Sequence, residues 1–490
     1  MMINSLLGLL FGVMSVTVWS QGVASLAVLC NTLIANHSMF CNCDLDGVDE
    51  ATWMSCFIIN SLKPDDEVWK GFARQSKLTS LTITSQLSSG SLNFVPTEAL
   101  LRTPQLEEVS IKQCSIPELL TNSFVNLEYL GRLSLENDEI RYLHKHAISH
   151  LPRITSLVLS DNCIEELRAE TLFDLPRLTF LVLDRNNISW IDDNFFLHLS
   201  NLTELELWNN KIQHITPYTF NGLKSLRRLD LYKNHLTKLD NYVFIGTPRL
   251  HELDLKENRI SEIASNAFHG LSFLMSLHLN RNHLRTLPAH VFRGSPNVMM
   301  LELSNNKLES IQRNVIEDLP RMINDNFIMY FRNNNLKCDC RLNWVKKYAD
   351  LAKYHIFKME LNHMKCKHDS DKNTKRVLDL NFDDLGCLHT TTPMTTTFKV
   401  FTQKANRLKI DLYEHIEDKE DSFPESIRVM TTPQDFENVS SAQPSRDSHS
   451  ISEPASSIVR DDNSAGHFSP RYYQLVSTGL VFVCHLMLLL

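Results

Sequence analysis

Residues 202–215 read LTELELWNNKIQHI, from Leu202 to Ile215. Leu202, Leu205 and Leu207 stand at positions 1, 4 and 6 of a unit that returns every 24 residues. Stepping by 24 from Leu106 meets Leu130, Ile154, Leu178, Leu202, Leu226, Leu250, Leu274 and Val298. Position 9 is Asn at 162, 186, 210, 234, 258, 282 and 306, and position 19 is Phe at 124, 196, 220, 244, 268 and 292. Agreement over so many units excludes chance. Trp208 is the one bulky aromatic in the opening stretch, at a place the period does not ask for.

The pattern L-x-x-L-x-L-x-x-N is the leucine-rich repeat. Positions 4 and 6 alternate along a short strand and point inward, so positions 3, 5 and 7 point outward. The Asn at position 9 stands where the chain leaves the strand, and its amide can satisfy backbone groups of neighbouring coils. Phe at position 19 fills the space behind the strand. One unit cannot bury its own apolar face, so units stack and the ends need caps. The expected fold is an α/β leucine-rich-repeat solenoid with a curved parallel sheet on its concave face, disulfide-capped at both ends.

Eleven cysteines are distributed in keeping with those caps. Cys30, Cys41, Cys43 and Cys56 precede the array, and Cys338, Cys340, Cys366 and Cys387 follow it. Such clusters read as disulfide-stapled modules of an oxidising compartment, because the C-x-C spacing does not match the usual zinc C-x2-C. Sequence alone leaves the pairing open. Cys114 takes the Asn position of its repeat and Asp138 that of the next, while Cys163 stands at position 10, too far from Cys114 to bridge it. The states of Cys114 and Cys163 stay open. Leu78 to Leu106 spans 28 residues, and the last step is lengthened around RMINDNF, so a local loop is expected at each end of the array.

Both ends of the chain carry targeting features. Leu6 to Val18 is an apolar run ahead of a cleavage site after Ser20, which makes 1–20 a signal peptide. Leu475 to Leu490 is 16 residues with no basic cluster after it, short of the ~20 apolar residues of a spanning helix. It follows Ser464-Ala465-Gly466 and the spacer HFSPRYYQ, the order of a GPI signal, with Ser464 the expected attachment residue and 465–490 removed. The remaining expected domains are an N-terminal cap at 21–77, about ten or eleven repeats at 78–336 and a C-terminal cap at 337–388. Residues 389–464, rich in Ser, Thr and Pro, form an expected disordered stalk. Sequons occur at Asn36, Asn187, Asn201 and Asn438.

Lys plus Arg number 49 against 57 Asp plus Glu, a formal charge of -8, which marks no nucleic-acid binder. No phosphate loop, HExxH or GxSxG is present, and no catalytic, cofactor or metal residue is assigned. The densest histidine group, His144, His146 and His150, reads as a solvated polar face, since nothing supplies a fourth ligand or supporting shell for a metal.

A binding surface remains. Phe180, Val182, Trp208 and Tyr232, bordered by Arg185, Glu204, Glu206, Arg228, Asp230 and Lys233, fall on outward positions near mid-array. Aromatic anchors ringed by charges are how protein-binding hot spots are composed. A partner protein is expected there, and the mixed signs are compatible with a homodimer in which Arg228 and Lys233 meet Glu206 and Asp230 of a second copy across a two-fold axis.

Short stretches narrow the reading further: VWKGFARQSKL (68–78), VPTEALL (95–101), LHKHAISHLPRI (143–154), NLTELELWNNKI (201–212) and CDCRLNW (338–344). With the two cysteine flanks, they resemble the connectin-type, GPI-anchored leucine-rich-repeat adhesion proteins of arthropods. The resemblance implies first-with-third and second-with-fourth disulfides, here Cys30 with Cys43, Cys41 with Cys56, Cys338 with Cys366 and Cys340 with Cys387. It further implies homophilic cell-cell adhesion from the outer leaflet of the plasma membrane. The alternative is a GPI-anchored receptor or co-receptor for a secreted protein ligand.

Overall fold

The computed structural model describes residues 29–30, 38–44, 50–85, 92–319, 327–352, 355–368 and 373–387. The signal peptide, Asn36, Asn438, Ser464, the stalk and the anchor signal lie outside the described residues.

One strand per coil builds a 13-stranded sheet. Its first two strands, Met39–Cys43 and Trp53–Ile58, pair antiparallel, with Cys41 opposite Cys56. From Trp53–Ile58 onward every neighbour is parallel, in chain order, ending at Ile328–Tyr330. The register repeats the period: Leu181 faces Leu205, and Leu205 faces Leu229. At the two ends it lengthens, since Leu81 pairs with Val109 and Leu301 with Met329, each 28 residues apart by numbering.

The leucines of positions 1, 4 and 6 are sealed inside, as with Leu202, Leu205 and Leu207, in one core running from cap to cap. Coils are joined by a ladder of buried asparagines. Asn210 Nδ2 donates to Leu183 O of the previous coil (2.9 Å) and to its own Leu207 O (3.1 Å), while its Oδ1 accepts Ile188 N–H (3.0 Å). The same set recurs at Asn186, Asn234, Asn258, Asn282 and Asn306. An amide donates and accepts at once, so one side chain closes both sides of each joint.

The caps are stapled by Cys30–Cys43, Cys41–Cys56, Cys338–Cys366 and Cys340–Cys387. Caps stapled in this way belong to a chain folded in an oxidising, secretory compartment. Each cap also buries a tryptophan with its N–H engaged: Trp69 donates to Lys63 O (2.8 Å) and Trp344 to Ile311 O (2.6 Å). Behind Trp344, helices Trp344–Leu351 and His355–Asn362 close the last coil. Cys114 is a buried free thiol, and burial beside Asp138 pushes its pKa up. Cys163 is buried too and is disulfide-bonded, a state the sequence left open.

Candidate protein-binding face

The outward side chains are set by alternation along the strands and by the turn that closes each strand. Position 8 takes a left-handed backbone in coil after coil from Gln113 to Asn333, with φ of 52° at Arg185, 54° at Asn209, 55° at Lys233 and 54° at Glu257. Non-glycine residues seldom adopt it, yet the turn requires it here. The turn lifts position 8 beside position 7 of the adjoining coil, a closeness the period does not disclose.

At mid-array this builds a row of four side chains. Trp208 and Tyr232 stack with ring centroids 6.3 Å apart at 29°. The Arg185 guanidinium lies 4.7 Å over the indole, and the Lys256 ammonium 4.8 Å over the phenol ring. Cations over aromatic faces are attracted by the ring quadrupole, each contact worth about 0.5–1 kcal/mol at exposed sites. Arg185 is steered by Asp161, whose carboxylate it meets at 2.6 Å, and by Asp184. Tyr232 donates its hydroxyl to Glu257 (3.2 Å), and Lys256 is tied to Asp254 (2.6 Å). The rings are therefore held before any partner arrives.

Arg228 occupies the centre of the charged part. Its guanidinium faces Glu206 (3.0 Å), Asp230 (3.5 Å), Glu204 (3.8 Å) and Glu252 (3.8 Å) of its own chain. Burial pushes the Asp230 carboxyl up to about 6, with the neighbouring Asp254 charge acting the same way. Farther along, His278 meets Glu302 at 3.3 Å.

Three expectations are corrected. Val182 and Asp230 are covered, at 7% and 8% exposure, because each short side chain stands between close neighbours, Val158 and Glu206 for the first and Glu206 and Asp254 for the second. Phe180 is half-buried at the start of its strand, four residues upstream of Asp184 in the Trp208 column, and makes no ring contact with Trp208 or Tyr232 among the described residues. Arg228 does not stand open for a two-fold partner, since its own carboxylates already surround it. Lys233 is exposed, with no ion pair among the described residues. Glu204, Glu206, Trp208, Arg228 and Tyr232 keep half-buried outward places.

Lys256 was reachable from the position-7 column that holds Trp208 and Tyr232; its place on the phenol ring was not. The N-terminal cap adds Trp53 and Phe57, 43% and 37% exposed, on the outward side of strand Trp53–Ile58. Only its alternation signalled them, since the cap lies outside the 24-residue period. Asn187 follows strand Phe180–Val182 and Asn201 precedes strand Glu204–Glu206, so the two sequons lie beyond opposite ends of the strands. Asn201 is exposed and donates to Pro176 O (2.8 Å). Of the histidines, His144 pairs with Glu118 (2.8 Å), whereas His146 and His150 both pack on Phe173 (4.8 and 5.7 Å between ring centroids), His150 meeting Asp174 as well (2.8 Å).

Residues 128–188, 176–236, 225–274 and 272–322 match the family model described as leucine rich repeat. Residues 128–322 are thus leucine-rich repeats, and the sheet they build extends from Met39–Cys43 to Ile328–Tyr330. No curated protein matches it in sequence. Among solved structures it is similar to the mouse RP105/MD-1 complex, at 22% identity and a TM-score of 0.50, over 64% of this chain and 55% of that one. It is similar also to an internalin of Listeria monocytogenes, at 18% and 0.43, over 66% and 87%. The TLR13-ssRNA13 complex gives 21% and 0.41, over 67% and 52%. The chain thus spans about half the length of the TLR13 and RP105 chains. At these identities the likeness is one of fold.

Proposed function

We propose that the chain is a cell-surface adhesion and recognition protein that binds other proteins through the concave sheet. In this reading a GPI lipid holds it at the outer leaflet, and cells adhere through its self-recognition, as the connectin-type resemblance implies. The carrying observation is the row Arg185, Trp208, Tyr232, Lys256, two large rings fixed by cations and open on the concave side. Preordered aromatics lose little freedom on binding, and such groups dominate protein interfaces. The role is binding rather than catalysis.

The receptor reading, with a secreted protein as ligand, draws support from the sign of the face. Acidic groups prevail around Arg228, so two identical faces opposed to one another repel.

The test is aggregation of cells expressing the full chain. Trp208→Ala with Tyr232→Ala should abolish aggregation while the unfolding free energy falls by only about 1–2 kcal/mol, because neither ring is in the core. Aggregation unchanged in the double variant refutes the assignment of this face. Release of the wild-type chain by phosphatidylinositol-specific phospholipase C tests the anchor, and retention until detergent is added overturns it.

A further inference from the structure

On the C-terminal half of the concave face, Glu204, Glu206, Asp230, Glu252, Asp254 and Glu302 are opposed by Arg228 and Lys256. Six carboxylates against two cations leave four negative charges before any charge on His278. Arg228 is shared among four of the six, and Lys256 is bound to Asp254. A partner placed here must bring cations.

The same chain carries such a group. In the C-terminal cap, strands Lys365–Lys367 and Thr374–Arg376 form an antiparallel hairpin pinned through Cys366 to Cys338. Alternation turns Cys366 inward and Lys365 and Lys367 outward, and the register sets Arg376 opposite Lys365 and Thr374 opposite Lys367. Three cations therefore share one exposed face, and Lys375 is exposed as well. Arg376 is joined to Asp379 at 2.6 Å, whereas Lys365 and Lys367 have no ion-pair partner among the described residues. Two like charges directly opposed, Lys365 and Arg376, destabilise a hairpin, so a carboxylate from outside relieves the hairpin as well as the face.

We propose that this cationic hairpin of one copy docks on the acidic concave sheet of a second copy. Lys365 and Lys367 are two residues apart on a strand, about 7 Å. Glu204 and Glu206 have that same separation, as do Glu252 and Asp254, on strands one removed from each other across Arg228–Asp230. The contact is heterologous, cap to face, so each molecule keeps a free face and a free cap and assembly propagates through a sheet of molecules. A face-to-face dimer lacks this complementarity. The inference rests on the homophilic reading and specifies its geometry.

Cells bearing full-length chains test it. Lys365→Glu with Lys367→Glu reverses the hairpin, and Glu204→Lys with Glu252→Lys reverses the face; all four positions lie at the surface, and equal surface staining checks folding. Each reversed population alone should lose aggregation by about tenfold or more. Mixed together they should aggregate again, because the acidic hairpin of one meets the basic face of the other. If either reversed population aggregates as the wild type does, or the mixture stays dispersed, cap-to-face docking is wrong while self-recognition stands. Wild-type cells that stay dispersed remove the homophilic reading itself.

Discussion

The repeats before Leu178 and those after it share a period but are held together behind the sheet by different means. From Phe196 onward, position 19 is a continuous stack: Phe196, Phe220, Phe244, Phe268 and Phe292 lie 6.0 to 6.3 Å apart, ring to ring. Earlier, that column reads Phe124, Ile148, Leu172, and the backbone itself pairs there as a three-stranded sheet of Phe124–Val125, Ile148–Ser149 and Leu172–Phe173. That pairing includes one ring, Phe124, on its first strand, and smaller aliphatic residues on the next two. Gly246 belongs to the ring-stacked half: a Cβ there would stand 2.4 Å from Phe220 O, so only glycine admits the coils at that distance.

The joints in front differ in the same way. The later repeats have an unbroken asparagine ladder, and the earlier ones place Cys114 and Asp138 in it. Asp138 is fully buried; its Oδ1 accepts Cys114 N–H at 2.8 Å, and its Oδ2 has no partner among the described residues. Burial pushes its pKa up to about 8. A neutral carboxyl carries a proton to donate, as the amide it replaces does. The two halves thus differ in how firmly they are joined, the later one with complete joints and stacked rings.

Phe244→Ala probes that difference hardest. Removing the central ring should cost about 3–5 kcal/mol in chemical unfolding, with Leu172→Ala smaller at about 2–3 kcal/mol, since backbone pairing persists behind it. Equal losses would dissolve the distinction. Asn210→Ala comes next, at on the order of 2–3 kcal/mol, because Leu183 O, Leu207 O and Ile188 N–H lose a partner. Asp138→Asn should act in the opposite direction. The folded pKa is raised from 3.8 to about 8, so the neutral rung stabilises fully below pH 4 and its contribution is lost as pH rises toward 8. The asparagine variant should therefore be more stable by about 1–2 kcal/mol at pH 8, with the gain vanishing near pH 4. Denaturation midpoints of both proteins at pH 4 and pH 8 measure it, and a pH-independent gain would assign the effect to packing instead.

Much of the fold was legible because burial imposes a period. Leu205 and Leu207 must face inward in any stacked coil, and Asn210 must bridge coils, so residue type at fixed spacing carries that information. The face was legible only as columns. Position 7 put Trp208 beside Tyr232, with Lys256 next in the column, but the Arg185 cation over the indole depends on the left-handed turn at position 8, which leaves no residue signature: Arg185, Asn209, Lys233 and Glu257 all adopt it. Val182 and Asp230 look outward by alternation and are covered by neighbours one strand away. Cys163 likewise was undetermined, since disulfide state depends on distance through space.

By itself, then, the sequence determined the solenoid, the period, the inward leucines, the asparagine ladder and the positions of both caps, because each follows from local geometry repeated along the chain. Only the tertiary structure decided that Arg228 is occupied by its own carboxylates, that two cations fix two rings in a row, and that the hairpin of the C-terminal cap presents Lys365 and Lys367 together on one exposed face. Those facts rest on distances between side chains of different coils, and on charges gathered from residues far apart in the chain, which no spacing along one strand encodes.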